Sequence, residues 1–594
     1  MTTTTDTTAD EVAWDLDPLL DGADVDTLLD RADTLASAVE AVRGRVASLG
    51  AAELARAMGD LAALQDHLGR AGNYAHLRFA TDTADPTRGA LVARVQERSI
   101  AIWTRLIFLD LEWAAVDDDR AEALLADPAL AFCAHHLRSQ RRYRPHQLAE
   151  AEERLDAEKT QTGATAWSRL FGELCAAIEV PLPDRTVRLE EGLALLAHPD
   201  AGTRREVAEA VTAGLAPGLR TRAFVFNTLL LDKAVDDRLR AYPTWLSARN
   251  LHNETTDASV DALVDAVVAR YDLPRRWYRL KATILGVDRL ADHDRMASVA
   301  TTTPTYRWDN ARDIVLEAYR GFSPELADVA SLFFAGDWID APVRPAKRPG
   351  AFCAYTVPSH HPYVLLNWTG TRRDVLTLAH ELGHGVHAHL ARPQGVFHQS
   401  TPLTLAETAS VFGETITFAR LLERTTDPTD RLALLAEQIE GAIATVFRQT
   451  AMHRFEDAVH THRREVGELS VDDFGDHWER TQAEMLGDAV RITDGYRTWW
   501  SYIPHFISTP GYVYAYAYGQ LLALAVYRRA TETGPDFVPR YLDLLAAGGS
   551  LPPTELARIV GCDLDDPGFW DGGLRIVEEL LDAAEQAARD AGRL

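Results

Sequence analysis

Four histidines crowd into residues 380–389, and two of them, His380 and His384, stand four apart with Glu381 between them. On a helix, at about 100° per residue, these two lie about 40° apart, and both imidazoles can reach one ion at about 2.0–2.1 Å. The chain must therefore place a helix here. Thr371 precedes Asp374 by three residues, a capping-box start that sets the helix N-terminus just before the cluster. Leu378, Leu382, Val386 and Leu390 recur every fourth residue as its buried stripe. Gly383 and Gly385 each cost about 1 kcal/mol against alanine in a helix interior, so another element is expected to approach closely there.

In the pattern His-Glu-x-x-His the glutamate is not a ligand but takes a proton from a metal-activated water, which makes Glu381 the candidate general base. His387 lies about 10.5 Å along the axis from His380, too far to share its ion. It is read either as a residue supporting the site from the cleft wall or as an ordinary surface histidine. His389 points to the opposite side and is incidental. A third histidine ten residues after the first would mark a metzincin, but that position is Leu390, and His387 stands where that pattern has glycine. A carboxylate on a following helix is the remaining ligand. Thr401-Pro402 reads as an N-cap with a first-turn proline, opening a helix to about residue 422. Glu407 on that helix is the expected third ligand, with a competing role as capping partner of Thr404. Glu414, seven residues on and on the same face, is expected to orient a ligand histidine.

Elsewhere apolar residues recur at helical spacing, most clearly over 26–47, 51–68, 189–215, 258–271, 431–460 and 574–588, so the chain is mainly α. Breaks fall at Asp85-Pro86, 180–184, 301–304 and 341–345, where proline disfavours helix. A chain of 594 residues is long enough for two or three lobes around a cleft. The division expected is a helical N-terminal lobe over 1–190 and a catalytic lobe over 191–594. Residues 351–357 and 363–368 are aromatic and β-branched, separated by a turn-like 358–362, and predict a hairpin directly before the histidine helix. Its edge could take an extended peptide as one more strand, or the hairpin could be purely structural.

The 61 basic and 88 acidic residues leave a net charge of −27, which argues against nucleic acid and anionic lipid as partners. No run approaches the 18 or more apolar residues of a membrane helix. The threonine-rich N-terminus lacks the basic and apolar regions of a secretory signal and is expected to be frayed. Four scattered cysteines form no C-x-x-C pair, which fits a reducing, cytoplasmic compartment.

His380-Glu-Leu-Gly-His384, followed by Ala406-Glu-Thr-Ala-Ser410 and Glu414, resembles the oligoendopeptidase F family, relatives of thimet oligopeptidase. The resemblance extends to Trp-Asp-Leu-Asp-Pro-Leu-Leu at 14–20, to 350–353 and 362–367 in the hairpin, and to 563–570 near the C-terminus. It implies a two-lobed helical zincin with a deep channel that admits short unfolded peptides. It also implies one zinc ion on His380, His384 and Glu407, with Glu381 activating water. The segment 505–519 resembles the family's histidine-then-tyrosines stretch that steadies the oxyanion, and His505, Tyr512 and Tyr516 are the residues expected to do so. Tyrosine at every second position places all four of 512–518 on one face of a strand, whereas on a helix Tyr512 and Tyr516 share a face. Gly511 stands where the family commonly has an aromatic residue, a change expected to loosen that loop. The function implied is hydrolysis of internal bonds in short peptides. The alternatives are an exopeptidase on the same scaffold and a catalytically silent peptide-binding protein.

Overall fold

The computed structural model describes residues 8–300, 304–566 and 568–594. The first seven residues of the N-terminal segment, the threonines 301–303 of one expected break, and Pro567 lie outside the described residues. Helix accounts for 71% of the chain, and the strands are few and short, so the fold is mainly α. Contacts group the chain into two units. One comprises Met1–Glu150, Thr303–Glu423 and Ala523–Leu564, the other Ala151–Thr302, Arg424–Leu522 and Asp565–Leu594. The expected division at 190 concerns linear segments, whereas these units are sets of packed elements drawn from both sides of it.

In the first unit, helices Val25–Glu40, Ala51–Thr81 and Pro86–Ala114 enclose an apolar core built from Leu28, Leu64, Phe108, Trp113 and their neighbours. The expected hairpin is present as Phe352–Ala354 antiparallel to Tyr363–Trp368, with Cys353 opposite Val364. A third strand, Ile339–Pro342, pairs in parallel with Tyr363–Trp368 and makes it the central strand. The break expected over 341–345 overlaps the end of this strand, which Pro342 closes after four residues. Phe352–Ala354 is left at the sheet edge.

The N-terminal segment is not frayed over 12–19. Ala341 donates its backbone N–H to Val12 O and Asp15 donates to Asp337 O, each at 3.0 Å. Tyr363 OH donates to Asp15 O at 2.7 Å, and the Trp14 ring meets Tyr363 edge-on at 5.9 Å. Backbone pairing and aromatic burial thus fasten this segment to the sheet.

The histidine helix runs Arg372–Ala391. Thr371 caps it: the hydroxyl accepts from Asp374 N at 3.2 Å, and Asp374 accepts from Thr371 N at 3.0 Å. Thr371→Ala is expected to cost about 1 kcal/mol, read as a lower unfolding midpoint with metal content unchanged. Leu378, Leu382 and Val386 are buried as the stripe requires, and Leu390 is half-buried.

The second unit packs Ala201–Leu215, Leu219–Leu239, Gln449–Glu465 and Val471–Leu486 around Phe226, Phe455, Phe474, Trp478, Trp500 and Phe506. The helix expected over 189–215 is interrupted after Ala194, and Asp200 caps its second part by accepting from Thr203 N at 2.7 Å. The one expected over 431–460 contains a π-helical turn, Ile443–Arg448.

Candidate metal centre

Close approach of two helices builds this site. A Cβ on Gly383 would lie 2.5 Å from Ala409 O and 2.6 Å from Ser410 Cα, so only glycine lets helix Thr408–Arg424 pack against the histidine helix at this height. Gly413 returns the contact from the other side, where a Cβ would meet Tyr319 OH and, at 3.1 Å, Ala379 O. Tyr319 OH also donates to Ala379 O at 2.6 Å. Gly385 faces the ring of Phe333 with no room for a Cβ. The close approach expected from the two interior glycines is therefore what the packing requires.

That packing brings three side chains of separate turns to one point. Glu407 Oε2 lies 3.3 Å from His380 Nε2 and 3.5 Å from His384 Nε2. Four ligands at about 2.0–2.1 Å from a tetrahedral ion stand about 3.3–3.4 Å apart, so these separations are those of a zinc-sized site. His380, His384 and Glu407 form the one such group of possible ligands among the described residues. His380 Nδ1 lies 3.2 Å from Glu414 Oε2. An ionised carboxylate only accepts, so Nδ1 is the donor and the Nε2 lone pair is turned toward Glu407. Two acceptors facing one another need a cation between them. Burial opposes a charged imidazole at His380, but Glu407 and Glu414 outweigh it and hold its pKa well above the usual range. Likewise burial opposes the charge of Glu407, yet the two histidines keep its carboxyl well below the ordinary value.

Glu407 does not sit inside one continuous helix. It occupies a one-residue break between Leu403–Ala406 and Thr408–Arg424, and the short helix starts after Pro402 without a side-chain cap from Thr401. The break turns the Glu407 carboxylate to the histidines. Ser410 secures it, donating Oγ–H to Glu407 Oε2 at 2.9 Å. The sequence motif 406–410 contains Ser410 without assigning it a role, although its place three residues after Glu407 is a local signal.

Glu381 is buried beside the histidines. Burial raises its carboxyl pKa, while His380 and His384 pull the other way and the Cys353 backbone N–H hydrogen-bonds it. That bond ties Glu381 to the edge strand. Tyr355, inside the strand expected over 351–357 but just beyond the observed one and with no site role expected for it, has its ring 6.3 Å from His384 and 6.4 Å from His387. Its only sequence signal is its aromatic character. His387 is buried rather than on the surface, and burial with the nearby His384 lowers its pKa to about 4, so it stays neutral. His389 lies half-buried with its ring 6.1 Å from Trp338.

In the second unit, His505, Tyr512 and Tyr516 come together. His505 Nε2 is 3.2 Å from Tyr516 OH, the His505 and Tyr512 rings stack at 6.0 Å, and Tyr512 meets Tyr516 edge-on at 5.0 Å. The segment is helical from Tyr514 to Thr533, which sorts the four tyrosines onto different sides. Tyr514 OH donates to Asn250 Oδ1 and accepts from Asn253 Nδ2, both at 2.8 Å, and buried Tyr518 pairs with Ser259 Oγ at 3.2 Å. These two serve the core.

Residues 194–576 match the family model described as Peptidase family M3, which is more than half of the chain, and residues 112–179 match that described as Oligopeptidase F. The chain is 26% identical over 540 residues to oligopeptidase PepF of Bacillus subtilis, covering 88% of this chain and 79% of that protein. It superposes on oligoendopeptidase F from Enterococcus faecium with a TM-score of 0.72 at 22% identity, over 97% of this chain and 98% of that one. With PZ peptidase A the TM-score is also 0.72, at 15% identity, covering 97% and 99% of the two chains.

Proposed function

The chain belongs to peptidase family M3, and from that premise we propose that it is a zinc-dependent oligoendopeptidase acting on internal bonds of short, unstructured peptides. The observation that carries this reading is the convergence of His380 Nε2, His384 Nε2 and Glu407 Oε2 beside the buried Glu381. When bound there, zinc supplies Lewis-acid polarisation of the scissile carbonyl and lowers the pKa of water to about 7. His380 is kept in the metal-binding tautomer by Glu414, and Glu407 is aimed by Ser410. Glu381 takes a proton from the attacking water and passes it to the departing amine. An extended peptide can lie along the outer edge of Phe352–Ala354, the strand whose Cys353 amide hydrogen-bonds Glu381, and this favours the docking role of the hairpin. His505, Tyr512 and Tyr516 form one donor cluster suited to an oxyanion.

Peptides are the proposed partners, and the net charge of −27 disfavours nucleic acid. Among the described residues no helix is long and apolar enough to cross a membrane, and the four cysteines are unpaired, which supports a reducing cytoplasmic setting. An internally quenched peptide blocked at both ends tests the reading, with and without a chelator. Cleavage in the interior, seen by mass spectrometry and abolished by the chelator, is expected. Cleavage only of peptides with a free terminus would identify the exopeptidase instead. Binding without cleavage would identify the silent protein.

A further inference from the structure

A buried carboxyl group holds the strap that presents Tyr512. Residues 509–513 join the short helix His505–Ser508 to helix Tyr514–Thr533. Gly511 at their centre has φ +71°, a region that favours glycine, and a Cβ there would lie 2.8 Å from Leu246 Cδ1 and 3.4 Å from Arg249 Cβ and Trp245 Cζ3. Its backbone N–H donates to Glu456 Oε1 at 3.0 Å. The glycine therefore does not loosen the loop; it lets the backbone close onto an acceptor. Arg249 Nε adds a long bond to Pro510 O at 3.4 Å.

Glu456 is fully buried on helix Gln449–Glu465, and its Oε2 has no hydrogen-bond partner among the described residues. None of the ionisable groups beside it on this helix bonds its Oε2. Asp457 accepts from Trp245 Nε1 at 2.8 Å, His460 stacks on Trp245 at 4.3 Å, and His453 lies edge-on to Tyr514 at 5.7 Å. Burying a carboxyl group for one backbone bond is costly, and an apolar residue of like size would avoid the cost. The cost has a counterpart only in what the bond holds.

We propose that Glu456 is a positioning residue: by holding the Gly511 amide it fixes residues 509–513, and with them the placement of Tyr512 and of His505 against Tyr516. This rests on the oxyanion role proposed for those tyrosines. Burial raises the Glu456 carboxyl to about 8, against the Gly511 bond and the charge of Arg249, so near neutral pH it is the uncharged acid. Its carbonyl oxygen is then an acceptor that glutamine reproduces and leucine does not.

The test compares kcat, KM and zinc content for Glu456→Gln, Glu456→Leu, Tyr512→Phe, Tyr516→Phe and the Glu456→Leu, Tyr512→Phe double variant on one blocked peptide. Glu456→Gln is expected within about twofold of the parent, and Glu456→Leu to lose kcat at least about tenfold with KM and zinc little changed. In the Tyr512→Phe background Glu456→Leu is expected to add less than about threefold, because the two residues act as one unit. Parental activity of Glu456→Leu while Tyr512→Phe is impaired overturns this inference alone, as does an undiminished effect in the double variant. Parental kcat in both Tyr512→Phe and Tyr516→Phe overturns the reading beneath it. If Glu456→Leu does not fold, native-state hydrogen exchange on the unmodified protein decides. Strong protection of the Gly511 amide is expected, and exchange at the rate of an open turn overturns the proposal.

Discussion

Glu381→Gln is expected to leave the protein folded and zinc-loaded while lowering kcat by about 10²–10⁴-fold, or about 3–5 kcal/mol of barrier. Glutamine has the shape of glutamate and keeps a carbonyl oxygen for the Cys353 amide that now hydrogen-bonds the carboxylate. What it lacks is a site for the proton of the attacking water. The burial that raises the Glu381 carboxyl pKa makes the carboxylate a stronger base, and it is this basicity that the amide removes. Glu407→Gln should behave differently, since it weakens a ligand rather than a base, and zinc content should fall together with activity. Metal analysis beside turnover of a quenched peptide separates the two variants. Parental turnover by a metal-replete Glu381→Gln protein would remove Glu381 from the mechanism.

The parts of this site that could be read in the sequence are those whose cause is local. The histidine helix follows from a capping pair three residues apart and a stripe every fourth residue, and both stand as expected around Arg372–Ala391. Glu407 and Glu414 could be named because a carboxylate on the next helix is a chemical requirement once the metzincin histidine is missing. The break at Glu407 could not, because Thr401-Pro402 reads as the same helix start whether or not a turn interrupts it. Contacts made across long stretches of sequence were silent. Nothing in residues 339–342 announces a strand, since four residues ending in proline carry no period; the partner at 363–368 creates it. Gly511 shows the same limit. A glycine where the family commonly has an aromatic residue suggests a loose loop, whereas Glu456, 55 residues earlier, supplies the acceptor that tightens it.

At Gly383 local and tertiary preference conflict, and Gly383→Ala measures the difference. Helix propensity alone favours alanine by about 1 kcal/mol, and Gly59→Ala in helix Ala51–Thr81, where nothing lies within 4 Å of the added Cβ, is expected to gain up to about that much. At Gly383 the added carbon would stand 2.5 Å from Ala409 O and 2.6 Å from Ser410 Cα, both backbone atoms that no rotamer change can move. Restoring ordinary contact requires the helices to part by on the order of 1 Å, at an overpacking cost of about 1–3 kcal/mol that outweighs the propensity gain. Glu407 is two residues before Ala409, and Ser410 is the residue that hydrogen-bonds its Oε2, so the ligand moves with the backbone. Zinc bonds tolerate about 0.2 Å, far less than this displacement. Gly383→Ala is therefore expected to lower zinc affinity by at least about 10–100-fold, the loss typical when a ligand's support is removed. Competition with a chelator of known affinity reads that loss, and added zinc should recover part of the peptidase activity. Parental zinc affinity in Gly383→Ala would mean that the helix contact does not set the ligand position, and that Glu407 reaches the histidines by the freedom of its own side chain.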